Sequence, residues 1–472
     1  MIYDICIMKR RLLLLIIFLP ILFVTVFLGY QFYSRATSIK ANIIIDSTQI
    51  AGPIPNRWKA LSQGGEEMGV RMLQNVVPQV AELYPRYIRL DHIYDFYDVV
   101  SRSSDGQLSF NWTKLDETVC DIYHTGAKPF FSLGYMPPTI SEDGNLIGKP
   151  KDWKEWSLLV QKTIEHYSGI NTRLCGQIYG QWLTDIYYEV WNEPDIESFG
   201  KWSIYGGSKD YKTFYRVSVE GANQAKDVYR FLIGGPATTA PYKNWFQRFL
   251  NFTTENNLRV DFLSWHHYSK NANDYVDDIH KLNDWLSPPQ YARYRSLPKI
   301  ISEWGFDSDP NLITDTNIGA AHTIASIRNF IEESFELAFL FEIKDGQTPR
   351  WGILKHEGEK TPRYNALQML NALDGNRIKL SGEGTFVSGL ASTNSEHTNV
   401  LLVNYDLNNR NTESVPVTFT RLFDGKYTLS VTYLEENIIN YDLKTVGGQI
   451  IKKILMPPNS VVSLKLKRII TP

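Results

Sequence analysis

Eight near-continuous apolar runs, separated by helix-like segments, constrain this chain more than any other feature of its sequence. They occupy residues 60–66, 87–93, 128–135, 187–194, 231–238, 262–268, 299–306 and 337–345. A strand open to water on one face alternates apolar and polar residues. Phe231-Leu232-Ile233-Gly234-Gly235 does not alternate, as expected of a parallel strand covered on both faces. The intervening segments carry the helical period: Trp153, Trp156, Val160, Ile164 and Tyr167 recur every three or four residues, as do Tyr211, Phe214, Ser218, Ala222 and Ala225. Eight such units within residues 51–372 predict an α/β fold, the (β/α)8 TIM barrel. A doubly wound sheet is the other fold that would give similar runs.

The texture changes near residue 377. Short alternating runs follow at 399–405, 415–420, 427–433, 449–455 and 461–466, with Asp424-Gly425 and Gly447-Gly448 as turn signals. That pattern predicts a C-terminal antiparallel β-sandwich over residues 373–472. Residues 41–45, inside a linker at 31–50, form another strand candidate that could join it.

Lys9, Arg10 and Arg11 precede an apolar stretch at residues 12–30, broken only by Pro20, Thr25 and Gly29. Nineteen residues at about 1.5 Å each span roughly the hydrocarbon core of a bilayer. The stretch is therefore expected to be a transmembrane signal-anchor, with residues 1–11 as a cytoplasmic tail. A cleaved signal peptide is the alternative, and the protein would then be secreted. In both cases the rest of the chain lies outside the cytoplasm. A net charge of -2, with no long basic run after the first residues, argues against a nucleic-acid partner. Cys6 lies before the apolar stretch, leaving Cys120 and Cys175 either as a disulfide or as two buried thiols.

The chemistry concentrates at two strand ends. Tyr187-Tyr188-Glu189-Val190-Trp191-Asn192-Glu193-Pro194 closes the fourth run, and Ile300-Ile301-Ser302-Glu303-Trp304-Gly305 closes the seventh. In a TIM barrel, reacting groups sit at the C-terminal ends of strands. Glycosidic bond cleavage needs one carboxyl to protonate the leaving oxygen and another to support the oxocarbenium-like centre. Glu193 and Glu303 are the two candidates. A lone strand-end glutamate is an ordinary charged terminus, but two on matching strands supply both roles at one mouth.

The Trp-Asn-Glu-Pro and Glu-Trp-Gly strand ends resemble those of the clan A retaining glycosidases, and within that clan the chain resembles glycoside hydrolase family 39. The resemblance runs from about residue 43 to the C-terminus and includes Gly64-Gly65, Arg89-Leu90-Asp91-His92 and Phe199-Gly200-Lys201-Trp202. It implies that Glu193 is the acid/base, Glu303 the nucleophile, and the reaction retaining. The family includes β-xylosidases, α-L-iduronidases and exopolysaccharide hydrolases, so a carbohydrate is the expected partner. A non-catalytic carbohydrate-binding protein on the same fold is the rival reading.

Other residues belong to the expected mouth. Asn192 is placed to bind a sugar 2-hydroxyl, and His92 another hydroxyl or simply the core. Alternation turns only one of His266 and His267 inward; the resemblance favours His266, with Tyr268 on the same side. Trp304 is either a stacking platform or a packing residue. Lys344, Asp345 and Arg350 lie near the eighth strand end; the resemblance to iduronidase-like members implies that Lys344 or Arg350 would bind a uronate carboxylate, unless they are solvated loop charges. No H-E-x-x-H sequence accompanies the histidine pair, so neither metal nor cofactor is expected.

Overall fold

The computed structural model describes residues 38–64, 67–178, 182–333, 335–349 and 351–469. The anchor expected at 12–30, its preceding tail and Arg350 lie outside them. Among the described residues no helix is long and apolar enough to cross a membrane.

All eight apolar runs form strands: β1 (Ala60–Gln63), β2 (Tyr87–Leu90), β3 (Lys128–Leu133), β4 (Ile186–Val190), β5 (Phe231–Thr238), β6 (Phe262–Tyr268), β7 (Lys299–Gly305) and β8 (Leu337–Phe341). They pair in parallel in chain order, and β8 returns to β1 with Phe339 opposite Ala60. This closure excludes the doubly wound alternative. Residues pointing into the barrel, among them Tyr87, Phe130, Tyr187, Phe262 and Phe339, make a separate aromatic floor. Their neighbours on the strands point outward into the larger core under the helices.

The helical periods seen in the sequence correspond to Trp153–Tyr167 and Tyr211–Gln224. Each is capped by an aspartate, Asp152 and Asp210, whose side chain accepts from a first-turn amide. The two helices pack closely, with Nε1 of Trp156 donating to Ser218 at 2.8 Å. A Cβ at Gly221 would lie 2.2 Å from the Ser157 carbonyl oxygen, so the approach depends on that glycine.

The C-terminal region is a nine-stranded sheet in the order Ile439–Lys444, Lys426–Tyr433, Val461–Ile469, His397–Asn404, Val387–Thr393, Asn376–Ser381, Ile43–Pro53, Glu413–Thr420, Ile450–Met456. The strand candidate at 41–45 does join it. The sheet is mixed rather than purely antiparallel, because Ile43–Pro53 arrives from the other side of the barrel sequence and pairs in parallel with Glu413–Thr420. One face of the sheet forms a buried cluster to which, among the described residues, no helix contributes, so the sheet covers itself by curling. Its two end strands meet, with Nζ of Lys452 3.4 Å from the Tyr441 ring centre.

The sheet lies along helix Asn317–Glu332, which starts at the pole where the barrel strands have their C-terminal ends and finishes at the opposite one. Arg377 pairs with Glu332 at the far end, Arg328 with Glu383 one turn before it, and Tyr405 meets His322 edge-on towards the start. The Tyr405 hydroxyl donates to the Lys270 carbonyl, two residues beyond β6. Ile39 binds Thr385, the neighbour of Phe386, whose carbonyl accepts from the Tyr405 amide. The chain thus enters the folded unit on the side where the barrel strands have their C-terminal ends. Strand Val461–Ile469 finishes at the other pole, where its Lys467 pairs with His397, a neighbour of Asp374.

Candidate active site

The acid-bearing turn begins where β4 stops at Val190. Trp191 and Glu193 both adopt left-handed backbone angles, φ 72° and 42°, which residues with a Cβ rarely occupy. Tertiary bonds hold them there. Ser132 donates to the Trp191 carbonyl, Trp191 Nε1 to the Phe199 carbonyl, and the Glu193 amide to the Ala237 carbonyl. Backbone strain held in place by its surroundings is common at reacting sites.

Glu303 reaches the same mouth from within β7, where its register partner on β6 is His266. One side-chain ligand atom from each of Glu193, His266 and Glu303 lies within 4.8 Å of the others. Nδ1 of His266 is 2.9 Å from Glu193 Oε1 and 3.7 Å from Glu303 Oε2. Tyr268 donates to Glu303 Oε1 at 2.5 Å. It leans over Gly305, where an added Cβ would meet its ring at 2.8 Å. The glycine that ends β7 therefore lets the phenol reach the carboxylate.

Arg89, fully buried on β2, ties the cluster together. It donates from Nη1 to Glu303 Oε2 at 3.2 Å, from Nη2 to Asn192 Oδ1 at 2.7 Å, and from Nε to Glu189 Oε2 at 2.9 Å. Asn192 in turn donates to the Tyr135 hydroxyl at 2.7 Å. Spacing of this kind between Glu193, His266 and Glu303 would also suit a divalent cation, but the guanidinium already brings positive charge to Glu303.

Electrostatics follow from burial and from these pairs. Burial raises the carboxyl of Glu303 above its ordinary range, while His266 and Arg89 pull against that rise and Glu193 adds to it. For His266, burial opposes the charged ring, yet the carboxylates of Glu303 and Glu193 outweigh it and raise its pKa. The mouth thus holds an imidazole that favours its charged form between two carboxyl groups.

The remaining expected residues are placed as follows. His92 has a left-handed backbone (φ 52°), contacts Asp95 at 2.7 Å and packs against Tyr135 at 4.4 Å between ring centres, beside the Asn192 contact. His267 points the other way, to Asp278. Trp304 packs against Tyr275 and Phe330, at 5.7 and 4.9 Å between ring centres. Its surroundings are those of a packing residue rather than of a sugar platform, because neighbouring residues on a strand face opposite sides. Lys344 donates to Asn75 at 2.9 Å, and the buried Asp345 accepts from the Gly352 amide at 2.8 Å. Those two side chains support the loops around β8 instead of joining the carboxylate cluster.

Arg89, Glu189 and Tyr135 have site contacts that the strand-end motifs do not announce. A signal was present for two of them: Arg89 and Glu189 are charged residues inside apolar strand runs, where a charge is tolerated only with a partner.

Residues 42–281, just over half of the chain, match the family profile described as Glycosyl hydrolases family 39. A Beta-xylosidase of Caldicellulosiruptor saccharolyticus is 26% identical over 332 residues, which cover 64% of this chain and 65% of that protein. A Beta-xylosidase of Geobacillus stearothermophilus is 26% identical over 316 residues, covering 59% of this chain and 60% of the other. The chain thus spans less than two thirds of the length of these relatives. Among solved structures, a family 39 enzyme from Xanthomonas axonopodis pv. citri superposes with a TM-score of 0.73 at 19% identity, covering 91% of this chain and 98% of that one.

Proposed function

The chain belongs to glycosyl hydrolase family 39, and from that premise we propose that it is a retaining glycosidase with Glu303 as nucleophile and Glu193 as acid/base. The observation that carries the proposal is the approach of Glu193 and Glu303, with side-chain oxygens within 4.8 Å. Retaining enzymes hold their carboxyl groups about 5–5.5 Å apart, whereas inverting ones leave about 6.5–9.5 Å for a water.

In the first step Glu303 attacks the anomeric carbon as Glu193 protonates the departing oxygen. A bond forms between carbon and carboxylate, and the glycosidic bond breaks. In the second step Glu193 takes a proton from water, the oxygen of that water attacks the same carbon, and Glu303 leaves. Arg89 and Tyr268 hold the two oxygens of Glu303 in place for both steps. Asn192, fixed between Arg89 and Tyr135, is positioned for a sugar hydroxyl.

The substrate class we propose is β-xylosides, on the likeness to the two β-xylosidases. We further propose that the enzyme works outside the cytoplasm, tethered by residues 12–30. The disulfide between Cys120 and Cys175 supports this compartment.

The test uses a chromogenic β-xyloside and the fragment from Ser38 onward. Glu303→Ala should be nearly inactive. Glu193→Ala should still form the glycosyl-enzyme from a substrate with a good leaving group, and azide should speed its release. An inverted first product by NMR would overturn the retaining mechanism. Absence of turnover on every glycoside tried would favour the non-catalytic binding protein.

A further inference from the structure

Beneath the reacting carboxylates lies a buried charge that the proposed reaction does not use. Glu189 points into the barrel from β4, with the same parity as the floor residue Tyr187, and is fully buried. Its Oε2 accepts from Nε of Arg89 and lies 2.9 Å from Nη2 as well. Its Oε1 has no hydrogen-bond partner among the described residues. Leaving a buried carboxylate oxygen unpaired is costly, and a residue needed only to fill this space would not carry a charge.

The arrangement gives Arg89 two carboxylates to serve, Glu189 below and Glu303 above. An arginine facing Glu303 alone would give it all of its charge, stabilising the carboxylate and weakening it as a nucleophile. We propose that Glu189 is a positioning residue that divides the charge of Arg89, so that Arg89 steadies Glu303 without suppressing its attack on the sugar. The inference deepens the retaining-glycosidase reading and rests on it.

Other charged or titratable groups face this set. Asp91 acts on Arg89 from the end of β2, and Tyr211 faces Glu189 from the helix side. Glu193, His266 and Tyr268 face Glu303 directly, and Glu342 faces Tyr268 from the end of β8. Of these contacts only the one between Tyr211 and Glu189 goes when Glu189 loses its charge, and it does not involve Glu303.

The experiment measures the pH dependence of kcat/KM for Glu189→Gln and Glu189→Asp on an aryl glycoside that the wild type hydrolyses. In Glu189→Gln the full charge of Arg89 turns to Glu303, so the acid limb should move down by about one pH unit. In the same variant kcat should fall severalfold, with KM within about twofold if the pocket is intact. Glu189→Asp keeps the charge but withdraws it by one methylene, and should move the limb in the same direction by less. If Glu189→Gln does not fold, the aspartate variant decides. A limb that stays put or moves up in a folded variant overturns the proposal, and a loss of thermal stability alone does the same. Wild-type turnover is the control: without it the glycosidase reading itself fails, whereas an unmoved limb with an active wild type removes only the role of Glu189.

Discussion

The phenol of Tyr268 donates to Oε1 of Glu303 at 2.5 Å, opposite the oxygen that Arg89 engages. Burial, reinforced by the negative charge of Glu303, keeps that phenol far above its ordinary pKa, so it remains a donor throughout the working range. Removing a hydrogen bond to a charged group costs about 1.5–3 kcal/mol. Tyr268→Phe is therefore expected to lower kcat/KM by about 10- to 100-fold. The direction of the pH effect also follows. Burial raises the pKa of Glu303 and the Tyr268 bond is one of the forces lowering it, so losing the bond raises it further. In the proposed mechanism Glu303 reacts as a carboxylate, so the acid limb of the rate profile should move to higher pH.

Trp304→Phe separates packing from sugar binding. The ring lies among Tyr275, Phe330 and His322, and its Nε1 has no hydrogen-bond partner among the described residues. Phenylalanine fills less of that space, and a loss of about 1–2 kcal/mol in unfolding free energy is expected. KM should change less than twofold. A large rise in KM with unchanged stability would restore the role of Trp304 as a stacking platform.

His322 should make the fold sensitive to acid. Burial drives its pKa down to about 3, against the opposing hydrogen bond to the Ser269 carbonyl. An unfolded histidine titrates near 6.5, so below that pH the unfolded chain binds a proton that the native one refuses. Stability is intact above about pH 6.5 and falls by about 1.4 kcal/mol per unit as the pH drops towards the native pKa. His322→Gln should lose about 2 kcal/mol less than the wild type between pH 7 and pH 5, measured by urea unfolding. Parallel losses in both proteins would show that other groups dominate.

The disulfide closes a loop with a sequence separation of 55 between Cys120 and Cys175. Loop-closure entropy at that length corresponds to about 4 kcal/mol, an upper value that native strain reduces. The double change Cys120→Ser, Cys175→Ser is expected to lower stability by about 2–4 kcal/mol and to leave kcat unchanged. Thermal unfolding beside an activity assay checks both halves.

The barrel was legible because parallel strands buried on both faces must be apolar throughout, and each run became a strand. The ends were less so. Apolar character continues past Val190 into Trp191 and past Phe341 into Ile343, both fully buried. The strands nevertheless stop at Val190 and Phe341, because hydrophobicity reports burial and not backbone angles. In the sheet, Ile439–Lys444 escaped notice because much of this end strand is exposed, leaving little alternation to read. Glu193 and Glu303 were visible as carboxylates closing apolar strands. The dependence of Glu303 on Arg89 is a contact between residues 214 apart in sequence, and no local pattern reports it.

The entry of Ile39 beside Thr385 and the finish of Val461–Ile469 near His397 give the molecule a polarity. Any attachment made ahead of Ser38 pulls on the pole that carries the mouth. An attachment made beyond Ile469 pulls on the opposite pole. The first route leaves from the end of the barrel that carries Glu193 and Glu303, and the second from the end away from them. With the tether proposed at residues 12–30, the proposed hydrolysis would accordingly favour glycans lying close to the surface that holds it.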